Sequence, residues 1–476
     1  VEERLRHYRE IYRELSATEI RDQAARCMNC GTPFCHGAGC PLGNNVPEWN
    51  ELVYRGRWKE AAERLHRTSN FPEVTGRVCP ALCEASCVLA IHAEAVTVRQ
   101  IEFAVIEKAW KEGWISPQPP REETGKAVAV IGSGPAGFAA AQQLRRAGHR
   151  VTVLEKSDRL GGLLRYGIPD FKLEKSVLDR RLGQMQAEGI EFQTEVEAGR
   201  DLSAAYLKKK FDAICLCVGA GVPRDLKIPG RDAQGVHQAL EFLIQQNRRA
   251  AGEAIPAERG ITAEGKRVIL IGGGDTSNDC LVTALRQGAA AVEQFEILPQ
   301  PPEEIDASTP WPMWPYLLRT SAAHEEGGRR RWCVNTTSFA VRNGRVTGLN
   351  CVEVRWVRDE RSGRMNFEPV PGSESLVEAD LVLLAMGFVQ PVHEGLLDSL
   401  GVAYDNRGNV QTDTTTMMTS VPGVFAAGDA QSGAWLVVGA IAGGRRLARQ
   451  VDLFLMGEPS ALPDCPPPPR LYVGAP

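Results

Sequence analysis

The chain has 476 residues, 43% of them hydrophobic and 24% charged, enough for roughly two to four domains with cores of their own. Its formal net charge of -4 offers no basic excess for a nucleic-acid backbone, and no apolar run is long enough to cross a bilayer, the longest, Leu381 to Met386, reading as a buried strand. Neither a nucleic-acid nor a membrane partner is expected, and cytoplasmic location is an inference, because no signal peptide is read and residue 1 is Val rather than Met.

Residues 1–122 read as helix and loop, with helical spacing in Val1 to Met28, Trp49 to Thr68 and Val98 to Trp110. Between these stretches lie seven of the thirteen cysteines: Cys27, Cys30, Cys35 and Cys40 ahead of Pro41, then Cys79 ahead of Pro80, Cys83 and Cys87. Closely spaced thiols ending in proline suit iron–sulfur clusters better than zinc, which favours paired Cys-x2-Cys or a Cys/His complement; only His36 lies in the first run. In two-cluster ferredoxins the last cysteine of one run ligates the other cluster. The same crossing here groups Cys27, Cys30, Cys35 and Cys87, and leaves Cys40, Cys79 and Cys83 one ligand short. Zinc or a single cluster stays open at this point.

A proline-stiffened linker, Pro117 to Glu123, leads into the strand Val128 to Ile131 and the turn Gly132–Ser133–Gly134–Pro135–Ala136–Gly137. An Ala-rich helical segment, Phe138 to Ala147, and a strand ending in Glu155 follow. Strand, Gly-x-Gly-x-x-Gly, helix, strand and terminal acid in this order make a dinucleotide fingerprint. Gly132 serves the turn, Gly134 the approach to a pyrophosphate and Gly137 the helix–strand contact, while Glu155 is placed to accept from a ribose hydroxyl. The glycine-rich loop with Gly162, Leu163 and Arg165 is a second candidate wall of that site, although a plain surface turn reads equally well. Cys215 and Cys217, on one face of the strand Phe211 to Val218, read as core.

A second unit opens at Val268 to Ile271, with Gly272, Gly274, Asp275 and Thr276 in its turn and Ser277 in the third-glycine place. Two such units in one chain call for two dinucleotides, most simply a flavin and a nicotinamide. The following strand carries Glu296, whose carboxylate would accept from a free ribose 2′-OH and repel a 2′-phosphate. No Lys or Arg occurs between Val292 and Trp314, so NADH is favoured over NADPH. Trp311–Pro312–Met313–Trp314–Pro315 reads as a lid, an interface or a rigid packing loop, and His324 shows no identifiable partner. Near the end, Val424 to Ala427 deliver Gly428 and Asp429 into a turn, which can set a carboxylate against a flavin ribityl hydroxyl. A helix over Trp435 to Ala448 could face the flavin ring. The tail from Cys465 through Pro466 to Pro469 reads as extended.

These motifs together closely resemble the glutamate synthase small (beta) subunit family and the wider group sharing its module, which includes dihydropyrimidine dehydrogenase and ferredoxin–NADP transhydrogenase subunits. The resemblance implies an α/β fold with two Rossmann-like dinucleotide-binding domains, the NAD domain inserted in the FAD domain, after an α-helical iron–sulfur domain. The expected boundaries are 1–122 for the cluster domain, 123–235 and 376–476 for the FAD segments, and 236–375 for the NAD(P)H domain. It implies FAD, NADH or NADPH, and two [4Fe–4S] clusters. In the dihydropyrimidine dehydrogenase relative a glutamine after the cysteines completes one cluster; the matching place here is Glu102, with Gln100 the near rival. Glu296 to Pro302 and Trp-Pro-x-Trp-Pro look like the branch containing plant NADH-dependent enzymes. The implied function is hydride transfer from NAD(P)H to FAD and electron passage through the clusters to a glutamate synthase large (alpha) subunit. That partner makes glutamate from glutamine and 2-oxoglutarate. Hydride passes between cofactors, so no catalytic acid–base residue is expected. Alternatives are a stand-alone or bifurcating NAD(P)H:ferredoxin or acceptor oxidoreductase subunit, and a non-catalytic nucleotide-sensing subunit.

Overall fold

A computed structural model describes residues 1–305, 307–360, 363–460 and 462–465. Pro466 to Pro469 of the extended tail lie outside the described residues. The N-terminal unit is helical. Ser16 and Glu19 form a reciprocal capping box that starts the helix Ala17–Ala25. The segment 49–68, read as one helical stretch, is two helices, Val46–Tyr54 and Trp58–His66. Gly56 breaks it by adopting φ +73°, a left-handed conformation that ends a helix at little cost for glycine. Trp49, Val53, Leu65, Ile101 and Ile106 fill the core between these helices and the helix Val98–Lys111. Within 1–28 only Arg4–Arg6 and Ala17–Ala25 are helical. The intervening residues form a strap: Ile11 N–H donates to Phe171 O, and Arg286 holds the His7 carbonyl.

Two five-stranded parallel sheets follow. The first has the spatial order Val424–Ala426, Ala213–Leu216, Ala127–Ile131, Arg150–Leu154, Glu191–Gln193. The second repeats the plan with Val236–Gln238, Leu381–Leu384, Arg267–Ile271, Ala291–Phe295 and Arg329–Arg331. Both have the continuous apolar strands that helix-covered parallel sheets require, as in the fully buried run Ala213–Leu216. The second sheet is thus inserted between strands of the first. The strand Leu381–Leu384 corrects the expected boundary at 376: it pairs with Val236–Gln238 and Arg267–Ile271 and belongs to the inserted unit. An apolar strand carries no mark of which parallel sheet it joins. A further antiparallel sheet, Val334–Arg342, Arg345–Arg358, Met365–Pro369 and Ser375–Glu378, extends the inserted unit. Among the described residues no helix is long and apolar enough to cross a membrane.

Candidate functional site

The first glycine turn is packed closely by its neighbours except at Gly134. Gly132 sits at φ +97°, and a Cβ there would lie 2.5 Å from Cys217 O, so the adjacent strand excludes any side chain. A Cβ on Gly137 would lie 2.0 Å from Gly132 O, which is why the helix Pro135–Arg146 can start directly against its own strand. The loop at Gly162 backs onto the same turn, a Cβ there falling 3.0 Å from Gly134 Cα, with Leu163 exposed beside it. Gly134 itself has open space around its Cβ direction, which leaves the backbone approachable there. From the other end of the chain, Gly444 of the helix Val437–Met456 rides on Ala136, with a Cβ position 2.1 Å from Ala136 O. That contact brings Gly428 against Ala136 and Asp429 to the turn. Glu155, 6% exposed, accepts from Ser133 N–H at 3.0 Å, Ser133 Oγ at 2.6 Å and Ser157 N–H at 2.8 Å. A carboxylate has about four lone-pair sites, so one remains for a ribose hydroxyl. Asp429 accepts from Trp435 N–H at 3.3 Å, and burial raises its carboxyl to about 6. Arg165 is engaged elsewhere: its Nε donates to Leu160 O at 2.6 Å and its fork pairs with Asp179, so it shapes the loop.

The second turn repeats the tight fit at Gly272, where a Cβ would lie 2.4 Å from Ala385 O, but is more open beyond it. Gly273, Gly274 and Asp275 are exposed at the start of the helix Asp275–Arg286, with Thr276 half-buried behind them. Glu296 leans over the turn, so a Cβ on Gly273 would meet its Oε2 at 2.4 Å, and its Oε1 accepts from Leu298 N–H at 3.2 Å. The cleft above contains Asp275, Glu296, Trp314, Tyr316, Arg330 and Arg331, together with Pro80 from between two cysteines and Leu436 from the head of the C-terminal helix. Three units of the chain therefore meet at one cleft.

Sequence reasoning missed several of these residues. His324, read as partnerless, faces Gln294 Oε1 at 3.2 Å in the cleft wall, and burial, with Arg330 and Lys172, pulls its imidazole down to about 4. Arg319, Arg330 and Arg331 also line the cleft. The last two come from the strand beside Ala291–Phe295, beyond the interval Val292 to Trp314; Glu296 N–H donates to Arg331 O at 2.8 Å. The Trp311–Pro315 loop bridges two sites. Trp311 Nε1 donates to Cys87 O at 3.2 Å and its ring packs on Phe34 at 4.8 Å, while Trp314 lines the cleft above the second turn.

The seven cysteines separate into two groups. One cavity is lined by Cys27, Cys30, Cys35 and Cys87. The Cys35 thiol is pushed up to about 12 by burial and then by Cys27 and Cys87. Cys40 and Cys79 are each pushed up to about 12, and Cys83 well above its ordinary value, first by burial. Glu102 acts on all three of these thiols. Glu102 is 6% exposed, accepts from Thr75 Oγ1 at 2.6 Å and is raised by burial to about 8. Among the described residues no three His, Cys, Asp or Glu side chains stand together tightly enough for a single ion. A group with several metal atoms spreads its ligands more widely, and its positive charge offsets the cost of buried thiolates. The donor sets fit iron–sulfur clusters. Cys215 and Cys217 are buried core residues.

Residues 4–114 match the family described as dihydropyrimidine dehydrogenase domain II, 4Fe-4S cluster, and residues 126–309 and 345–444 match the pyridine nucleotide-disulphide oxidoreductase family. The chain is 57% identical to the glutamate synthase [NADPH] small chain of Mycobacterium tuberculosis, across 97% of this chain and 93% of that one. It is 46% identical to the glutamate synthase [NADPH] small chain of Bacillus subtilis, across 97% and 96% respectively. It is also 46% identical to glutamate synthase [NADH] of Schizosaccharomyces pombe, across 96% of this chain and 22% of that much longer one. Among solved structures, FprA of M. tuberculosis in complex with NADPH shares the fold at TM-score 0.53 and 19% identity, over 70% of this chain and 84% of that one. An iron–sulfur domain, FAD and a nicotinamide dinucleotide follow from these matches.

Proposed function

The chain belongs to the glutamate synthase small-chain family, and from that premise we propose that it delivers reducing equivalents from NAD(P)H to a glutamate synthase large chain. When bound, FAD supplies the conversion of a hydride donor into single-electron output, and iron–sulfur clusters supply the path outward. The observation that carries this reading is the shared cleft, where the open glycine turn, Pro80 of the cysteine region and Leu436 of the flavin-side helix line one space. The protein's work there is positional. Gly132, Gly134, Pro135, Ala136, Gly137, Glu155, Gly162, Leu163, Gly428 and Asp429 hold the flavin nucleotide, with Arg165 bracing the loop. Gly272, Gly274, Asp275, Thr276 and Glu296 receive the nicotinamide dinucleotide, and Trp314 and Tyr316 cover it from water. Two [4Fe–4S] clusters are held, one by Cys27, Cys30, Cys35 and Cys87, the other by Cys40, Cys79, Cys83 and Glu102.

Glu296 favours NADH, since a carboxylate over the turn accepts from a 2′-OH and repels a phosphate. One observation supports NADPH instead: Arg319, Arg330 and Arg331 stand in the same cleft. The test uses the anaerobically purified complex with its large chain. Oxidation of NADH and of NADPH is followed with and without glutamine plus 2-oxoglutarate. Oxidation that requires both substrates and yields glutamate supports the reading and ranks the two nucleotides. Flavin reduction indifferent to those substrates would point to a ferredoxin-type acceptor.

A further inference from the structure

Asn50 lies on the helix Val46–Tyr54, one residue after the buried Trp49 that anchors it. Its side chain is 0% exposed, yet neither its Nδ2 nor its Oδ1 has a hydrogen-bond partner. A fully buried primary amide with both ends unmet is rare, because each lost bond to water must be replaced. Asn50 lines the cavity formed by Cys27, Cys30, Cys35 and Cys87. The rest of that cavity is almost wholly apolar: Met28, Pro33, Phe34, Val46, Pro47, Val88, Leu89, Val96 and Val98. Its one charged side chain, Arg26, is committed to Gln23 Oε1 and to the carbonyls of Glu94 and Ala95. Among the described residues lining the cavity, the side chains thus offer this unengaged amide no acceptor except sulfur.

We infer that Asn50 donates its amide N–H to a sulfur of the cluster held by Cys27, Cys30, Cys35 and Cys87, and so sets that cluster's reduction potential. The inference rests on the reading of these four thiols as cluster ligands. Cluster sulfides and thiolates are acceptors only, so the amide must present its nitrogen. A hydrogen bond to sulfur stabilises the more negative, reduced form and raises the potential. In a cavity this apolar the donor is not diluted by solvent.

The experiment is a potentiometric titration of the anaerobic holo-complex, wild type against Asn50→Leu, which keeps the volume and removes the donor. Both clusters are followed by electron paramagnetic resonance. The expected result is an about tenfold shift of one cluster's equilibrium toward the oxidised form, ~59 mV for a one-electron couple, with the flavin and the other cluster unmoved. Full iron and sulfide content with wild-type potentials would overturn the inference while leaving the ligand assignment intact. Wild-type protein lacking a cluster at these thiols would instead overturn the ligand assignment. Should Asn50→Leu fail to assemble, pulsed resonance on wild-type protein labelled at the asparagine side-chain nitrogen decides. A nitrogen coupling to the reduced cluster supports the contact, and its absence removes it.

Discussion

The two glycine turns share a strand–turn–helix plan and differ in how tightly they are shut. Around Gly132 to Gly137 the strand bearing Cys217, the Gly162 loop and the C-terminal helix all close in, and Glu155 is pinned by three donors. Around the second turn Gly273, Gly274 and Asp275 are exposed, and Glu296 is met by the single Leu298 N–H among the described residues. The difference in packing suits the proposed assignment of a resident flavin to the first turn and an exchanging nicotinamide to the second. A group that stays for the life of the protein can be built into the packing, whereas one exchanged at every turnover needs a site that solvent can reach.

Gly137→Ala should break the closed turn most severely, because its Cβ would sit 2.0 Å from Gly132 O. We expect loss of most bound FAD and about 3 kcal/mol of stability, read from flavin absorbance and thermal melts. Ser277→Ala at the matching place of the open turn removes a buried hydroxyl that has no partner. It should change stability by less than about 1 kcal/mol, and an equal loss at both places would collapse the contrast.

The two acids sharpen the comparison further. Glu155→Ala strands Ser133 and Ser157 donors and should cost about 2–3 kcal/mol along with flavin affinity. Glu296→Ala should leave the melt nearly unchanged and raise KM for NADH about tenfold at constant kcat, the signature of lost uniform binding. Arg330→Ala should act on NADPH alone, raising its KM about tenfold; steady-state kinetics with both nucleotides separate the two effects.

A further effect is linked to pH. His324 is held neutral in the folded protein, its value pulled down to about 4 from an ordinary 6.5 chiefly by burial. The unfolded chain therefore binds a proton first as pH falls, and this contribution to stability is lost between about 6.5 and 4. His324→Gln should flatten that slope in melts recorded across the window. An unchanged slope would place the titration at His66, which burial also brings to about 4.

Local pattern made the turns, Glu155, Asp429 and the two cysteine runs legible, because each needs a residue type at a fixed spacing. The crossing of Cys87 to the first run rests on analogy; in the fold Cys87 lines one cavity with Cys27, Cys30 and Cys35. What stayed hidden depends on pairing between distant segments. Arg330 and Arg331 share a cleft with Glu296 only because their strand lies beside Ala291–Phe295. Leu381–Leu384 joins the inserted sheet through partners far upstream. Asn50 gave no signal at all, since an asparagine on an amphipathic helix looks the same whether it faces water or a cavity.

The flavin sheet is completed by Val424–Ala426, a strand that emerges after the whole inserted unit. On the ribosome the nicotinamide sheet has all its strands once Leu384 has appeared, whereas the flavin sheet still lacks an edge and its covering helix Val437–Met456. The inserted sheet can therefore close before the sheet that surrounds it.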